Sequence, residues 1–157
     1  IFSIGNPQTL AQAQVIQSQL KDIGIDVQLK AIEFGIFVDR WLKADFDLAL
    51  SSNAGLPDPH FYLYRYFYSK GSLSFIHGHW SNDRLDTLLD KGQVETDKSE
   101  RQKIYMEAQD ILINEAPFIW LVTAFEYFSF QDNVKGFIPL PTGGIDYFKD
   151  VWISDKQ

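Results

Sequence analysis

The first fifty residues switch between two hydrophobic periods. Apolar side chains recur every three or four residues over 10–23, which is the spacing of one helix face. They alternate with polar residues over 25–31, as in a strand with one buried face. Helical spacing returns over 34–43 and alternation over 46–50. With a short strand at residues 1–4, the pattern predicts the order β-α-β-α-β, which is typical of a mainly parallel sheet flanked by helices.

Residue types at the segment ends predict where the helices begin and stop. Thr9 is the expected N-cap of the first helix, and Gly24 stands where a left-handed stop is needed. Asp58 and Pro59 have the residue types of an N-cap and a first helical position, so a short helix is expected over 60–68.

Later segments predict two more helices and then strands. Leucines at 85, 88 and 89 share one helix face behind a Ser81 or Asn82 cap. The stretch DKSE at 97–100 has capping-box spacing, with the side chain of its Glu expected to bond back to the N–H of its Asp. The apolar run FIWLV at 118–122 predicts a strand buried on both faces, and 124–130 is a candidate continuation.

Composition removes several classes of protein from consideration. The chain has 157 residues, enough for one domain with a real core. A formal charge of −7 with scattered basic residues argues against a nucleic-acid partner. The lack of cysteine excludes disulfides and thiolate metal sites. No stretch reaches the roughly 20 apolar residues of a membrane span. The strand-like start IFSI is expected to lie inside a longer protein.

Motifs for catalysis and metal binding are weak. The sequence has no nucleophile elbow, P-loop or dinucleotide fingerprint, so we expect a binding protein and no cofactor. His77 and His79 form an H-x-H pair and His60 lies upstream, but two ligands do not make a site. The expectation is therefore no metal, with a metal-binding protein that uses these histidines as an alternative.

The stretch SSNAGLPDPHFYLYRYF at 51–67 is the candidate ligand region. Its first residues follow a predicted parallel strand, at the edge where open α/β sheets leave a crevice for ligands. Gly55 would let a ligand approach the backbone, and Asn53 and the serines offer uncharged polar groups. The aromatics after Pro59 cannot all face one core if 60–68 is helical.

Several phrases, in this order, resemble the carboxy-terminal lobe of the oligopeptide/dipeptide/nickel class of extracytoplasmic solute-binding proteins, family 5, which serve ABC importers. They are AQVIQSQLKDIGIDVQLKAIEF, FDLALSSNAGLPDPHFYL, HWSNDRLDTLLDKGQVETDKSERQKIYMEAQDILINEAPFIWL and NVKGF. The third phrase contains the family's T-D-x-x-x-R pattern, and the second its D-P helix start.

The resemblance implies a fold, a role and a place. Residues 1–157 would form one lobe of a type II periplasmic-binding-protein-like fold, with the amino-terminal lobe absent and 118–157 including the hinge or return segment. The role would be capture of a peptide or similar solute for an ABC permease in the membrane. The place would be periplasmic or extracytoplasmic, with or without a lipid anchor. A ligand-sensing domain of a transcription regulator is the alternative.

The resemblance also implies a ligand site. Phe34 stands where the family often has a cleft-facing Trp, and the loop residues complete the set. The expected ligand-binding residues are Phe34, Ser52, Asn53, Ala54, Gly55 and Leu56. Gly55 falls where peptide-binding members place an aspartate for the ligand's α-amino group. That loss leaves a free-amine peptide without an anchor, so a blocked peptide, an oligosaccharide, an opine-like compound and a metal chelate stay open.

Overall fold

The computed structural model describes residues 1–3, 7–52, 58–78, 80–125, 127–140 and 148–155. Its elements are β1 (Phe2–Ser3), α1 (Pro7–Asp22), β2 (Ala31–Ile32), α2 (Phe34–Leu42), α3 (Pro59–Phe67), a 3-10 turn (Ser74–His77), α4 (Asp83–Val94), α5 (Lys98–Glu115), β3 (Val134–Lys135) and β4 (Trp152–Ile153). Among these described ranges, no helix is long and apolar enough to cross a membrane.

Three segments of the first half lie side by side and run in parallel. β1 pairs with β2, with Phe2 opposite Ala31, and Phe2 also forms a parallel bridge to Leu50. Phe2 is 3% exposed and lies at the centre of this small sheet. Since α1 and α2 connect the segments, the predicted parallel β-α-β-α-β order is confirmed.

The strands are much shorter than the alternation predicted. Of 25–31 only Ala31 pairs with β1, and of 46–50 only Leu50 does. The side chain of Ile25 is 48% exposed and that of Leu48 is 50% exposed. A strand extends only as far as a neighbour offers backbone partners, and β1 offers two residues.

Most of the predicted helix ends are confirmed. Asp58, Asn82 and Asp97 cap α3, α4 and α5, each with a side-chain oxygen that accepts a backbone N–H of the first turn. Gly24 follows α1 with φ of +86°, as a left-handed stop requires. The Thr9 cap is wrong, because α1 already begins at Pro7.

The capping box before α5 is half formed. Asp97 accepts the N–H of Glu100, as predicted. The reciprocal bond is wrong, since the N–H of Asp97 donates to Glu95 at 2.7 Å and the Glu100 carboxylate pairs with Lys103. Glu95 is nearer in sequence to Asp97 and accepts the N–H expected to bond to Glu100. Glu100 instead pairs with Lys103, three residues further along the helix.

The main core lies among α3, the 3-10 turn, α4 and α5, which we call the helical cluster. Its buried side chains come from all four elements and the loop between them: Leu63, Tyr66, Phe67, Leu73, Ile76, Leu85, Leu88, Leu89, Tyr105, Ala108 and Leu112. Trp41 of α2 packs against this core, so the cluster touches the sheet-bearing half. Gly92 allows a close helix crossing, because a Cβ there would lie 2.7 Å from the Tyr105 ring.

The segment after α5 is not the buried strand that its apolar run predicted. Residues 118–122 are not in a strand, and Ile119 and Val122 are 80% and 72% exposed. The candidate strand at 124–130 is also wrong for its described residues, with Phe125 86% exposed. An apolar run becomes a buried strand only where other strands flank it, and among the described residues β3 and β4 pair only with each other.

Candidate functional site

The carboxyl ends of the parallel segments meet at one edge of the sheet. β2 continues directly into α2, and the third segment leaves the sheet after Leu50. Because both run parallel to β1, the residues after them emerge on the same side. We call residues 33–34 and 51–52 the carboxyl edge. Open parallel sheets bind ligands beyond such an edge.

Phe34 is the first residue of α2, and its ring is 64% exposed. Its neighbour Glu33 caps the helix, since the carboxylate accepts the N–H of Gly35 at 2.7 Å and of Ile36 at 3.2 Å. These backbone N–H groups hold the pKa of Glu33 below its usual value. Glu33 thus caps α2, and Phe34 is an exposed aromatic residue of the carboxyl edge.

Ser52 is exposed and belongs to the same edge as Phe34. Two of the six predicted ligand residues, Phe34 and Ser52, therefore follow segments that end at the same edge of the sheet. Asn53, Ala54, Gly55 and Leu56 lie outside the described residues. A separate hollow of about 490 Å³ lies at 127–139, and its lining includes neither Phe34 nor Ser52.

Asp58 stands where the chain enters the helical cluster, and it serves two partners. Its Oδ1 accepts the N–H of His60 at 2.8 Å, which caps α3. Arg101 Nη2 donates to Oδ1 at 2.8 Å and to Oδ2 at 3.0 Å. The hydrogen bond from Arg101 is the main reason why the pKa of Asp58 lies below its usual value. The carboxylate is therefore held in its charged form near neutral pH.

His60 and His77 lie against aromatic rings. The ring of His60 lies 4.9 Å from that of Tyr64, and burial lowers the pKa of His60. His77 stacks on Phe67 at 5.6 Å, and its Nε2 donates to the Tyr66 carbonyl at 2.6 Å. In the part of the chain that the structure describes, which leaves out His79, no group of His, Asp and Glu side chains could hold a metal.

The pairing of Asp58 with Arg101 is the feature that sequence reasoning missed. Asp58 was predicted only as a helix cap, and Arg101 is 43 residues further along the chain. Each lies in a phrase on which the resemblance rests, the D-P start and the T-D-x-x-x-R pattern. The presence of both motifs in one chain was the signal that could have indicated the pair. A single sequence does not show which carboxylate an arginine contacts.

Comparison with known proteins supports the parallel half most directly. Residues 1–74 match the family model described as bacterial extracellular solute-binding proteins, family 5 Middle. That range includes the three parallel segments, the carboxyl edge and α3.

Two curated relatives match most of the chain. The protein named "Probable D,D-dipeptide-binding periplasmic protein DdpA", from Escherichia coli (strain K12), is 29% identical over 88% of this chain and 27% of its own length. Dipeptide-binding protein DppE of Bacillus subtilis (strain 168) is 31% identical over 89% of this chain and 26% of its own length. The chain thus spans about a quarter of the length of these relatives.

A solved structure matches the arrangement of the elements. The oligopeptide-binding protein AppA from Bacillus subtilis, in complex with a nonapeptide, aligns with a TM-score of 0.76 over 98% of this chain and 31% of AppA. The two sequences are 23% identical, so this likeness speaks for the fold.

Proposed function

Because the chain belongs to the family-5 bacterial extracellular solute-binding proteins, we propose that it is a lobe of a receptor that captures a peptide or similar small solute for an ABC importer. The type II periplasmic-binding-protein lobe predicted from the sequence is confirmed by the structural match. The observation that supports the role most directly is the exposure of Phe34 at the carboxyl edge, where the segment carrying Ser52 also ends.

The proposed ligand site consists of Phe34, Ser52, Asn53, Ala54, Gly55 and Leu56. An exposed aromatic side chain supplies a large contact area at low entropic cost, which suits a ligand's apolar groups. Affinity would come from closing this edge on a second lobe, so that the ligand is buried from both sides. Catalysis and a cofactor play no part in this role.

The second lobe would come from the remainder of the polypeptide. The chain covers 27% of DdpA, which leaves ample length for another lobe. We propose that this lobe covers the apolar segment that carries the exposed residues Ile119, Val122 and Phe125, since burying apolar surface favours association. Residues 118–157 would include the hinge or return segment between the lobes.

The proposed partners and location follow from the same role. The closed receptor would dock on an ABC permease from the outer side of the membrane, in the periplasm or an equivalent extracytoplasmic space. The formal charge of −7 argues against nucleic acid as a partner. DdpA, DppE and AppA are binding proteins by name, so these likenesses do not favour the transcription-regulator alternative.

Phe34→Ala tests the site directly. In the full-length protein we expect about tenfold weaker binding, since loss of an aromatic contact of this kind costs more than about 1 kcal/mol. Isothermal titration with alanine peptides of two to five residues, free or N-acetylated, measures it. The free energy of unfolding of the variant should stay within about 0.5 kcal/mol of that of the natural protein, because Phe34 is exposed.

Leu42→Ala is the matched control for Phe34→Ala. Leu42 is also exposed but ends α2, so it lies about 12 Å along the helix from Phe34. We expect the Leu42→Ala variant to bind the peptides as tightly as the natural protein does. Equal affinities for Phe34→Ala and the natural protein would remove Phe34 from the site. A natural protein that binds no peptide of the panel would contradict the peptide assignment.

Gly55→Asp tests the choice of ligand. A carboxylate at this place should strengthen binding of a free-amine peptide about tenfold, since hydrogen bonds between charged groups are worth about 1.5–3 kcal/mol. The N-acetylated form of the same peptide should gain nothing. Gly55→Asn provides a side chain of the same shape without the charge, and titration of all three proteins separates the two effects. An equal gain in affinity for both peptides would contradict the proposal that residue 55 lies near the amino group of the ligand.

A further inference from the structure

The contact between Asp58 and Arg101 ties three helices together. Nη2 of Arg101 bridges both carboxylate oxygens of Asp58 at the start of α3. Nε of the same side chain donates to the Gly92 carbonyl in α4 at 3.0 Å. The guanidinium also lies 4.7 Å from the ring centroid of Tyr105, one turn along α5. Arg101 therefore fixes the start of α3 against both long helices of the helical cluster.

This ion pair differs from the others in its surroundings. The side chains of Arg101 and Asp58 are 27% and 39% exposed. In each other ion pair of the described ranges, one side chain is at least 54% exposed. Partial shielding from water strengthens the interaction of opposite charges, so this pair is the one most able to hold a backbone position.

The ion pair between Asp58 and Arg101 holds the backbone at Asp58, which is the far end of the segment that starts at the carboxyl edge. Five residues separate Ser52, at that edge, from Asp58. Six Cα steps reach about 20 Å when fully extended, so where Asp58 is placed limits where the intervening residues can lie. One end of this short connection is set by the parallel sheet through Leu50, and the other by Arg101.

We propose that Arg101 is a positioning residue for ligand binding, because it holds Asp58 and thereby the end of the connection that leaves the carboxyl edge. It makes no contact with the ligand itself. This inference rests on the proposed function, since it concerns the same site. It predicts that removing the charge of Arg101 weakens ligand binding. Removing the charge of another arginine that pairs between α4 and α5 should leave ligand binding unchanged.

Arg101→Gln in the full-length protein tests the inference, with titration of the tightest-binding alanine peptide of the panel as the measurement. We expect about fivefold weaker binding. Arg101→Lys should recover part of the affinity, because it keeps the charge. Arg84→Gln is the matched control, since Arg84 pairs with Glu107 between α4 and α5 at 2.6 Å but does not touch Asp58. Its affinity should equal that of the natural protein.

Urea unfolding of each variant separates positioning from general loss of stability. If Arg101→Gln and Arg84→Gln weaken binding equally, or if Arg101→Gln leaves affinity unchanged, the positioning role is overturned. Should Arg101→Gln fail to fold, Asp58→Asn takes its place, because asparagine keeps the α3 cap and loses only the charge. Equal affinity of Asp58→Asn and the natural protein overturns the inference as well. A natural protein without affinity for any peptide overturns the proposed function, and the two failures are thus distinguished.

Discussion

Replacing Phe67 by alanine is expected to lower the free energy of unfolding by about 3–5 kcal/mol, the usual cost of deleting a fully buried phenyl ring. Phe67 has no exposed surface and lies at the centre of the helical cluster. Its ring stacks on His77 at 5.6 Å and meets Phe118 edge-on at 5.1 Å. The substitution removes these contacts and leaves a cavity that the surrounding helices close only in part.

Phe61→Ala is the matched control, because it makes the same change in the same helix. The Phe61 side chain is 66% exposed, so we expect its loss to change the free energy of unfolding by no more than about 0.5 kcal/mol. Urea unfolding followed by circular dichroism compares the two variants. Similar losses would mean that the burial of α3 described above is wrong.

Asp58→Ala is expected to lower the free energy of unfolding at pH 7 by about 2–3 kcal/mol. Loss of an N-cap costs about 1 kcal/mol, and the remainder comes from leaving Arg101 without its carboxylate. The ion-pair share is reduced by solvent, since the Asp58 side chain is 39% exposed. Asp58→Asn keeps the cap and should lose only the ion-pair share, which urea unfolding of both variants measures.

The ion-pair share should depend on pH in a defined direction. The pKa of Asp58 is lowered in the folded state, chiefly by the hydrogen bond from Arg101. Its stabilisation is therefore fully present above the unfolded pKa of about 3.9 and is lost as the pH falls through the lower folded value. The difference in stability between the natural protein and Asp58→Asn should be constant from about pH 5 to 7 and shrink below about pH 4. A difference that persists in acid would contradict the ion-pair explanation.

Local features of the sequence determined the ends of the helices and the order of the elements. A cap needs one side chain and the N–H groups two or three residues later, so Asp58, Asn82 and Asp97 were predictable from their neighbours alone. The left-handed stop at Gly24 has the same local origin. Alternation of helical and strand periods likewise predicted the parallel order of the first half, because crossover helices bring consecutive strands into parallel.

Burial and pairing were decided only by the tertiary structure. Phe61 and Phe67 lie in the same aromatic block, yet one is exposed and the other is buried, because the positions of α4 and α5 select the covered face of α3. Residues 118–122 have the composition of a buried strand but find no strand beside them among the described residues. Asp58 meets Arg101 across 43 positions for the same reason. Contacts between distant residues depend on how whole elements pack, and no local pattern contains that information.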